Sequence, residues 1–461
     1  MIRFHSLEHV LSYYAKETPD AIALLYEGIA DNSDTLVGLT YRELYAQVKD
    51  LARQYQQSGK TSLGVLTDGS LSCIENLLAA NLAGLQVVML DAGAPLDRLG
   101  EQITGTDVDM LYGEETLKKE LQSYLTSGVT EGTDRVIFFT SGTTNAAKAV
   151  MLTGKSLCQS AYNGGAMLPL NTDDRLLCIL PLAHVFGFVC GLLWGLTSGA
   201  TVALGRGPRH FMDDCRFFQP TVLSAVPTLL EFLVKHKLIN PELHLVLVGA
   251  GDCPAEILDA AKESGLRVSF GYGLTETSSG VAISVGEDPY AMEICPDNTI
   301  TLADDGEILI QAPTCSMQGY YKHPKDTDAV LIDGVLHTGD LGRFDEDGRL
   351  HVTGRKKEIL VLSDGTKIFL PEYEALLKKK LDVTDSSVTD LAVTLKNEKP
   401  CLIYYGPADA DSVWARLKPV MEEYPRSQQL TYLVVTKMPI PKTATGKIRR
   451  NDLKQLIDEN R

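Results

Sequence analysis

The chain has 461 residues, 44% of them hydrophobic, enough to bury more than one core. Its formal net charge of −17 is unfavourable for nucleic-acid binding. Nine scattered cysteines, an odd count without a C-x-x-C pair, argue against a disulfide framework and for reduced thiols in a cytoplasmic protein.

The opening MIRFHSLEHVLSYYAKETP carries no charged-then-apolar signal pattern. Leu7, Val10, Leu11 and Tyr14 fall at helical spacing, which predicts an amphipathic helix ending before Pro19. A strand is expected at 63–67, a helix at 71–82 and a strand at 86–90. The same alternation recurs over 175–204, 221–236 and 243–248, the pattern of parallel α/β layers.

Between 176 and 205 there is no charged residue, and Gly187, Gly191, Gly195 and Gly199 recur every fourth position, like a small-residue transmembrane stripe. Pro181 and His184 interrupt the run, and its helical part is shorter than a bilayer requires. The segment therefore reads as a buried strand, helix and strand, with the glycine face set against a sheet, and no membrane span is expected. After Val281 the pattern changes to short strands with turns (299–303, 307–311, 335–338 and 349–353), a small β subdomain. Residues 354–461 carry a net +4 and the rest −21, so a weakly basic C-terminal unit faces an acidic body.

Residues 137–152, IFFTSGTTNAAKAVML, place a hydroxyl-rich loop between two apolar strands. Thr140, Ser141, Thr143 and Thr144 can donate to phosphate oxygens, Gly142 lets the backbone curl, and Lys148 adds a mobile positive charge. The combination suits a polyphosphate. It is not the nucleoside-triphosphatase P-loop, because Ala149 and Val150 follow the lysine.

Downstream, in order, come LPLAHVFGF (180–188), VGAGDCP (248–254), GYGLTET (271–277), HTGDLGRFDEDGRLHVTGRKKEI (337–359), DGTKIFLPEYE (364–374) and PKTATGKIRR (441–450). With these motifs the chain, from about residue 40 to its end, resembles the adenylate-forming superfamily of acyl- and aryl-CoA synthetases, adenylation domains and beetle luciferases. The resemblance implies an α/β fold: a large N-terminal domain (1–354) of two α/β layers plus a small β-barrel-like piece, and a smaller mobile α+β C-terminal domain (355–461). It also implies ATP- and magnesium-dependent activation of a carboxylic acid as an acyl-adenylate, followed by transfer to the thiol of CoA. The stretch GRKKEILVLSDGTKIF is most similar to the fatty-acyl branch, which tilts the expectation toward an aliphatic acid. A separate acyl carrier protein is the alternative acceptor, and a regulatory protein that binds nucleotide without turnover is a third reading.

The resemblance assigns roles residue by residue. Thr140, Ser141, Gly142, Thr143, Thr144 and Lys148 would hold the β- and γ-phosphates, although Asn145, Ala147 and Ala149 depart from the usual loop. Gly249, Ala250 and Gly251 would wall an adenine slot with Gly271 and Gly273, on which Tyr272 stacks. Thr275 would reach the α-phosphate and Glu276 would carry magnesium. Asp340 would accept the ribose hydroxyls, beside Arg355. Lys447 would bridge carboxylate and α-phosphate during adenylation. Lys357 would be the hinge, and the 364–369 loop would replace Lys447 for thiol transfer. His184 would gate the thiol route, with Phe186, Ser279 and Gly280 beside it in the acyl pocket. No carboxylate in LPLAHVFGF could pair with a substrate ammonium, which speaks against an amino acid.

Overall fold

The computed structural model describes residues 3–30, 33–129, 133–140, 147–249, 251, 253–362, 366–383, 388–442 and 448–459. Two mixed sheets form the body. The nine-stranded sheet runs Glu293–Ile294, Ser279–Ile283, Arg267–Leu274, Leu245–Val248, Val222–Ala225, Arg175–Cys178, Thr201–Leu204, Ile22–Ala30, Ser33–Thr40. Its interior pairs are parallel, and antiparallel strands close both edges. The six-stranded sheet runs Gly319–Tyr320, Ala149–Thr153, Arg135–Phe139, Gln86–Asp91, Ser62–Thr67, Met110–Tyr112. Their central strands read as unbroken apolar runs because helices cover both faces. One continuous core joins the two sheets, and Phe138 meets Phe188 across it with ring centroids 5.6 Å apart.

The N-terminal helix, Leu7–Glu17, ends before Pro19 as its periodicity predicts, and the helix Leu71–Leu82 has the expected bounds. The uncharged segment is a buried helix, not a span. Val185–Phe188 is α-helical, Val189–Leu193 widens into a π turn, and Trp194–Ser198 resumes the α form. A Cβ on Gly187 would sit 2.3 Å from the Pro181 carbonyl oxygen, and one on Gly195 would sit 2.5 Å from Val202. The glycine face therefore brings the helix backbone against neighbouring chain, while Gly199, at φ +72°, ends it in the left-handed form. Among the described residues no helix is long and apolar enough to cross a membrane, and no disulfide joins the cysteines.

The small β piece is a five-stranded antiparallel sheet, in which Val335–Phe344 pairs with Glu307–Gln311, Leu331–Ile332 and Leu350–Arg355. Beyond it the chain builds separate cores. One gathers side chains between Leu362 and Leu430, and the other packs the helix Leu453–Glu459 on the three-stranded sheet of Asp390–Lys396, Lys399–Tyr405 and Tyr432–Thr436. The molecule is thus α/β, with a large N-terminal and a smaller C-terminal domain. Part of the expected 364–369 loop is a strand: Lys367–Phe369 pairs antiparallel with Ile359–Val361.

Candidate active site

A cavity of about 480 Å³ opens where the two large sheets meet the five-stranded one, and motifs distant in sequence line it together. From the phosphate-loop motif come Thr140 and Lys148. From the apolar segment come His184 and Phe186, and from the two glycine motifs Gly249, Gly271, Tyr272, Gly273, Thr275 and Glu276. Ser279, Gly280, Asp340, Arg355 and Lys357 complete this part of the lining. Ser141, Gly142, Thr143, Thr144, Ala250 and Lys447 lie outside the described residues. Gly251 is exposed and absent from the lining. The expected adenine wall is therefore Gly249 alone among the described residues of that motif.

The ends of the phosphate-loop motif are pinned. The Thr140 amide donates to the Lys148 carbonyl at 3.0 Å, and the Lys148 amide donates to Thr140 Oγ1 at 3.3 Å. Lys148 Nζ lies 4.6 Å from the centroid of the Tyr320 ring and 3.6 Å from Asp326. The phenol of the same tyrosine donates to Glu276 Oε1 at 2.7 Å. Tyr320 thus stands between a cation and a carboxylate that belong to different motifs. Burial and the Glu276 charge push its phenol well up, so it remains a donor.

Tyr272 donates to Asp340 Oδ2 at 3.0 Å, and Arg355 Nε lies 2.8 Å from Asp340 Oδ1. Asp340 and Arg355 face each other in the β-ladder, which fixes the ion pair. Asp340 is 3% exposed, and burial pushes the Tyr272 phenol well up. Lys356, one residue on, reaches Asp305 at 2.6 Å and Glu307 at 2.7 Å, holding the chain to the five-stranded sheet just before Lys357.

A different chemistry lines the other wall. His184 caps the short helix, and enclosure by protein lowers its pKa although the ring faces the cavity, so it is neutral at neutral pH. Phe186 lies against Gly249, where a Cβ would come within 2.8 Å of the ring. Gly273 sits at a register shift where a Cβ would fall 1.8 Å from the Ser279 carbonyl oxygen. Ser278 and Ser279 adopt φ +54° and +106°, values that L-residues rarely hold. Thr277 Oγ1 donates to the Ser279 carbonyl at 2.8 Å, and Ser278 Oγ donates to the Cys315 carbonyl at 2.7 Å. Cys190, Leu247 and Ile283 continue this wall without a charge. Sequence reasoning passed over these three and Tyr320, since a lone apolar residue or a GYY triplet carries no local sign of what it will face.

Residues 11–321 match the family model described as AMP-binding enzyme. The chain belongs to the AMP-binding enzyme family, and it is an AMP-forming acid–thiol ligase. Among curated proteins, the 2-succinylbenzoate–CoA ligase of Bacillus subtilis (strain 168) is 27% identical over 95% of this chain and 96% of its own length. Among solved structures, the O-succinylbenzoate coenzyme A synthetase of Bacillus subtilis in complex with ATP and magnesium ion superposes with a TM-score of 0.81. It is 24% identical, over 96% of this chain and 99% of that one. ATP-bound MatB from Rhodopseudomonas palustris has the same fold, with a TM-score of 0.77 at 19% identity over 98% of each chain. The expected tilt toward a fatty acid finds no support among these relatives, whose printed names are not those of fatty-acid ligases.

Proposed function

We propose that the protein joins a carboxylic acid to the thiol of CoA through an acyl-adenylate, with ATP, magnesium and CoA as its cofactor set. One observation carries the reading. A single cavity has a charged end, formed by Lys148, Glu276, Asp340 and Arg355, and an uncharged end, formed by Phe186, Cys190, Ser279, Gly280 and Ile283. A nucleotide suits the first end and the tail of an acid suits the second.

In the first half-reaction a carboxylate oxygen attacks the α-phosphorus, and the bond to the bridging oxygen breaks to release pyrophosphate. Lys148 and the hydroxyls of the 140–144 loop hold the leaving phosphates, and Thr275 donates to the α-phosphate. Asp340 orients the ribose, braced by Tyr272 and Arg355. Among the described residues no cluster of three or more His, Cys, Asp or Glu is built to hold a metal. Glu276 alone fits magnesium, which takes one or two protein carboxylates and otherwise phosphate oxygens and water. Bound there, magnesium would supply neutralisation of the charge developing on the phosphates.

In the second half-reaction the sulfur of CoA attacks the acyl carbon, AMP leaves, and the thiol proton passes to solvent. Lys447 serves the first step only, and rotation of residues 355–461 about Lys357 exchanges it for the 364–369 segment. Neutral His184 gates the thiol route and does not act as an acid.

The test is ATP–pyrophosphate exchange with a panel of free acids, followed by thioester formation with CoA or with an acyl carrier protein. Lys447→Ala is expected to cut exchange by more than about a hundredfold, the scale of one lost electrostatic contact in a transition state. Thioester formation from preformed acyl-adenylate should survive. Transfer to carrier protein but not to CoA would favour the alternative acceptor, and absence of exchange with every acid would sink the reading.

A further inference from the structure

Behind the uncharged wall lies a second cavity of about 20 Å³, with Ser160, Gly164, Cys190, Trp194, Gly280 and Ile283 among its lining. Cys190, Leu247, Gly280 and Ile283 also line the main cavity, so the two cavities share a wall. The volume accepts one small group, about the size of a water molecule. None of its lining residues is charged. Trp194 directs its indole N–H to the Leu168 carbonyl at 3.2 Å, and Cys190 Sγ lies 3.6 Å from Ser279 Oγ.

Ser160 differs from these neighbours. It is 3% exposed, and its Oγ has no hydrogen-bond partner among the described residues. A buried hydroxyl left unmatched at the end of an apolar pocket costs stability that an alanine would spare. Space has also been kept in front of it. A Cβ on Gly280 would meet nothing within 4 Å, and one on Gly164 would approach only Ile283, at 3.6 Å.

Resting on the acid–CoA reading above, we infer that the acid carries a small neutral polar group, a ketone or hydroxyl, at the end of its tail, and that Ser160 hydrogen-bonds to it. A second carboxylate is excluded from this end. The cations that line the main cavity, Lys148, Arg355 and Lys357, are absent from the lining around Ser160, and the first two are held against Tyr320 and Asp340, so a carboxylate beside Ser160 would be buried without a counter-charge. The preference separates this chain from a ligase acting on a dicarboxylate.

The experiment is ATP–pyrophosphate exchange by the full chain with 4-oxopentanoate, 5-oxohexanoate and 6-oxoheptanoate, beside the alkanoates of matched length and glutarate. One of the keto acids is expected to exceed its alkanoate in kcat/KM by about tenfold, the scale of one neutral hydrogen bond. Glutarate should stay near background. In Ser160→Ala, which removes an unmatched hydroxyl and so folds at least as stably, the ratio should fall toward one. Gly164→Ala, which narrows the pocket, should raise KM for the preferred keto acid several-fold.

Glutarate equal to the keto acids, or a preference unchanged in Ser160→Ala, would overturn the inference. So would a native KM in Gly164→Ala. Exchange with none of these acids would overturn it too, and calorimetry of ATP with magnesium would then separate the causes. Binding would leave acid activation standing with another substrate, and no binding would remove both.

Discussion

Tyr272 and Asp340 meet across two sheets: the phenol, on the strand Arg267–Leu274 of the nine-stranded sheet, donates at 3.0 Å to the carboxylate on Val335–Phe344 of the five-stranded one. The expected ribose ligand is therefore held from behind by the expected adenine platform. Asp340→Asn should weaken ATP binding by about ten- to a hundredfold, the range for hydrogen bonds to a charged group. Tyr272→Phe should cost less. Calorimetry with ATP and 2′-deoxy-ATP checks the assignment, since the native preference for the ribose should shrink in Asp340→Asn; an unchanged preference would place the ribose elsewhere.

Tyr320 links Lys148 to Glu276, so its two variants should separate. Tyr320→Phe keeps the ring under the lysine and loses only the bond to Glu276. It should raise the magnesium concentration needed for half-maximal exchange, with little change in KM for ATP. Tyr320→Leu should raise both. Identical profiles for the two variants would mean that the residue is only packing.

Gly273 and Gly280 pair across the bulged hairpin, yet they should respond differently to alanine. At Gly273 the new methyl would collide with the Ser279 carbonyl, and backbone cannot yield cheaply. A loss of roughly 1–3 kcal/mol is expected by chemical denaturation, the usual cost of overpacking. Gly280→Ala meets open space, so its folding stability should stay close to native while KM for the acid rises. Equal stability losses in the two variants would contradict the open wall.

Arg450 forms a two-point ion pair with Glu374, at 2.8 and 3.0 Å, with both side chains largely buried. Glu374 also accepts from the Val393 amide at 2.7 Å. Arg450→Met strands a buried carboxylate and should destabilise by roughly 3 kcal/mol. The loss should be seen in the unfolding of the C-terminal domain, with ATP binding nearly kept. A variant as stable as the native chain would show the pair to be dispensable.

His184, although accessible at the cavity, has a pKa below its ordinary value of 6.5 because the surrounding protein desolvates the charged ring. As pH falls through 6.5 the unfolded chain takes up this proton before the folded one, so stability drops from that point toward the folded pKa. Above 6.5 the contribution is complete. In His184→Phe the acid-side decline in melting temperature should be shallower, and parallel curves for the two proteins would refute the assignment.

Much of this site was legible because its chemistry sits in short motifs. Glu276, Asp340 and Arg355 each lie within a few residues of a glycine or threonine that marks the turn, and all three line the cavity. Gly251, expected beside Gly249, is exposed and absent from the lining, and sequence cannot tell which way a chain leaves a strand end. Ser160 lies inside a helix with no motif around it and Cys190 just past the LPLAHVFGF motif, and their exposure to a cavity arises only when the nine-stranded sheet folds beside them. Tyr320 was missed for a related reason: its strand has two residues and gains meaning only by pairing with Met151 and Val150.

The π turn at Val189–Leu193 has a consequence for how this chain can change over time. Residues four apart on a regular α-helix drift by about 40° at each step, so glycines at 187, 191, 195 and 199 would spiral off a common face. A wider turn in their midst takes up that drift and lets the row keep to its neighbours. Loss of one residue there would restore the ordinary helical pitch and turn everything from Trp194 onward by about 100°. Insertions and deletions should accordingly be purged from this stretch, even where point changes at Val189 or Leu192 survive.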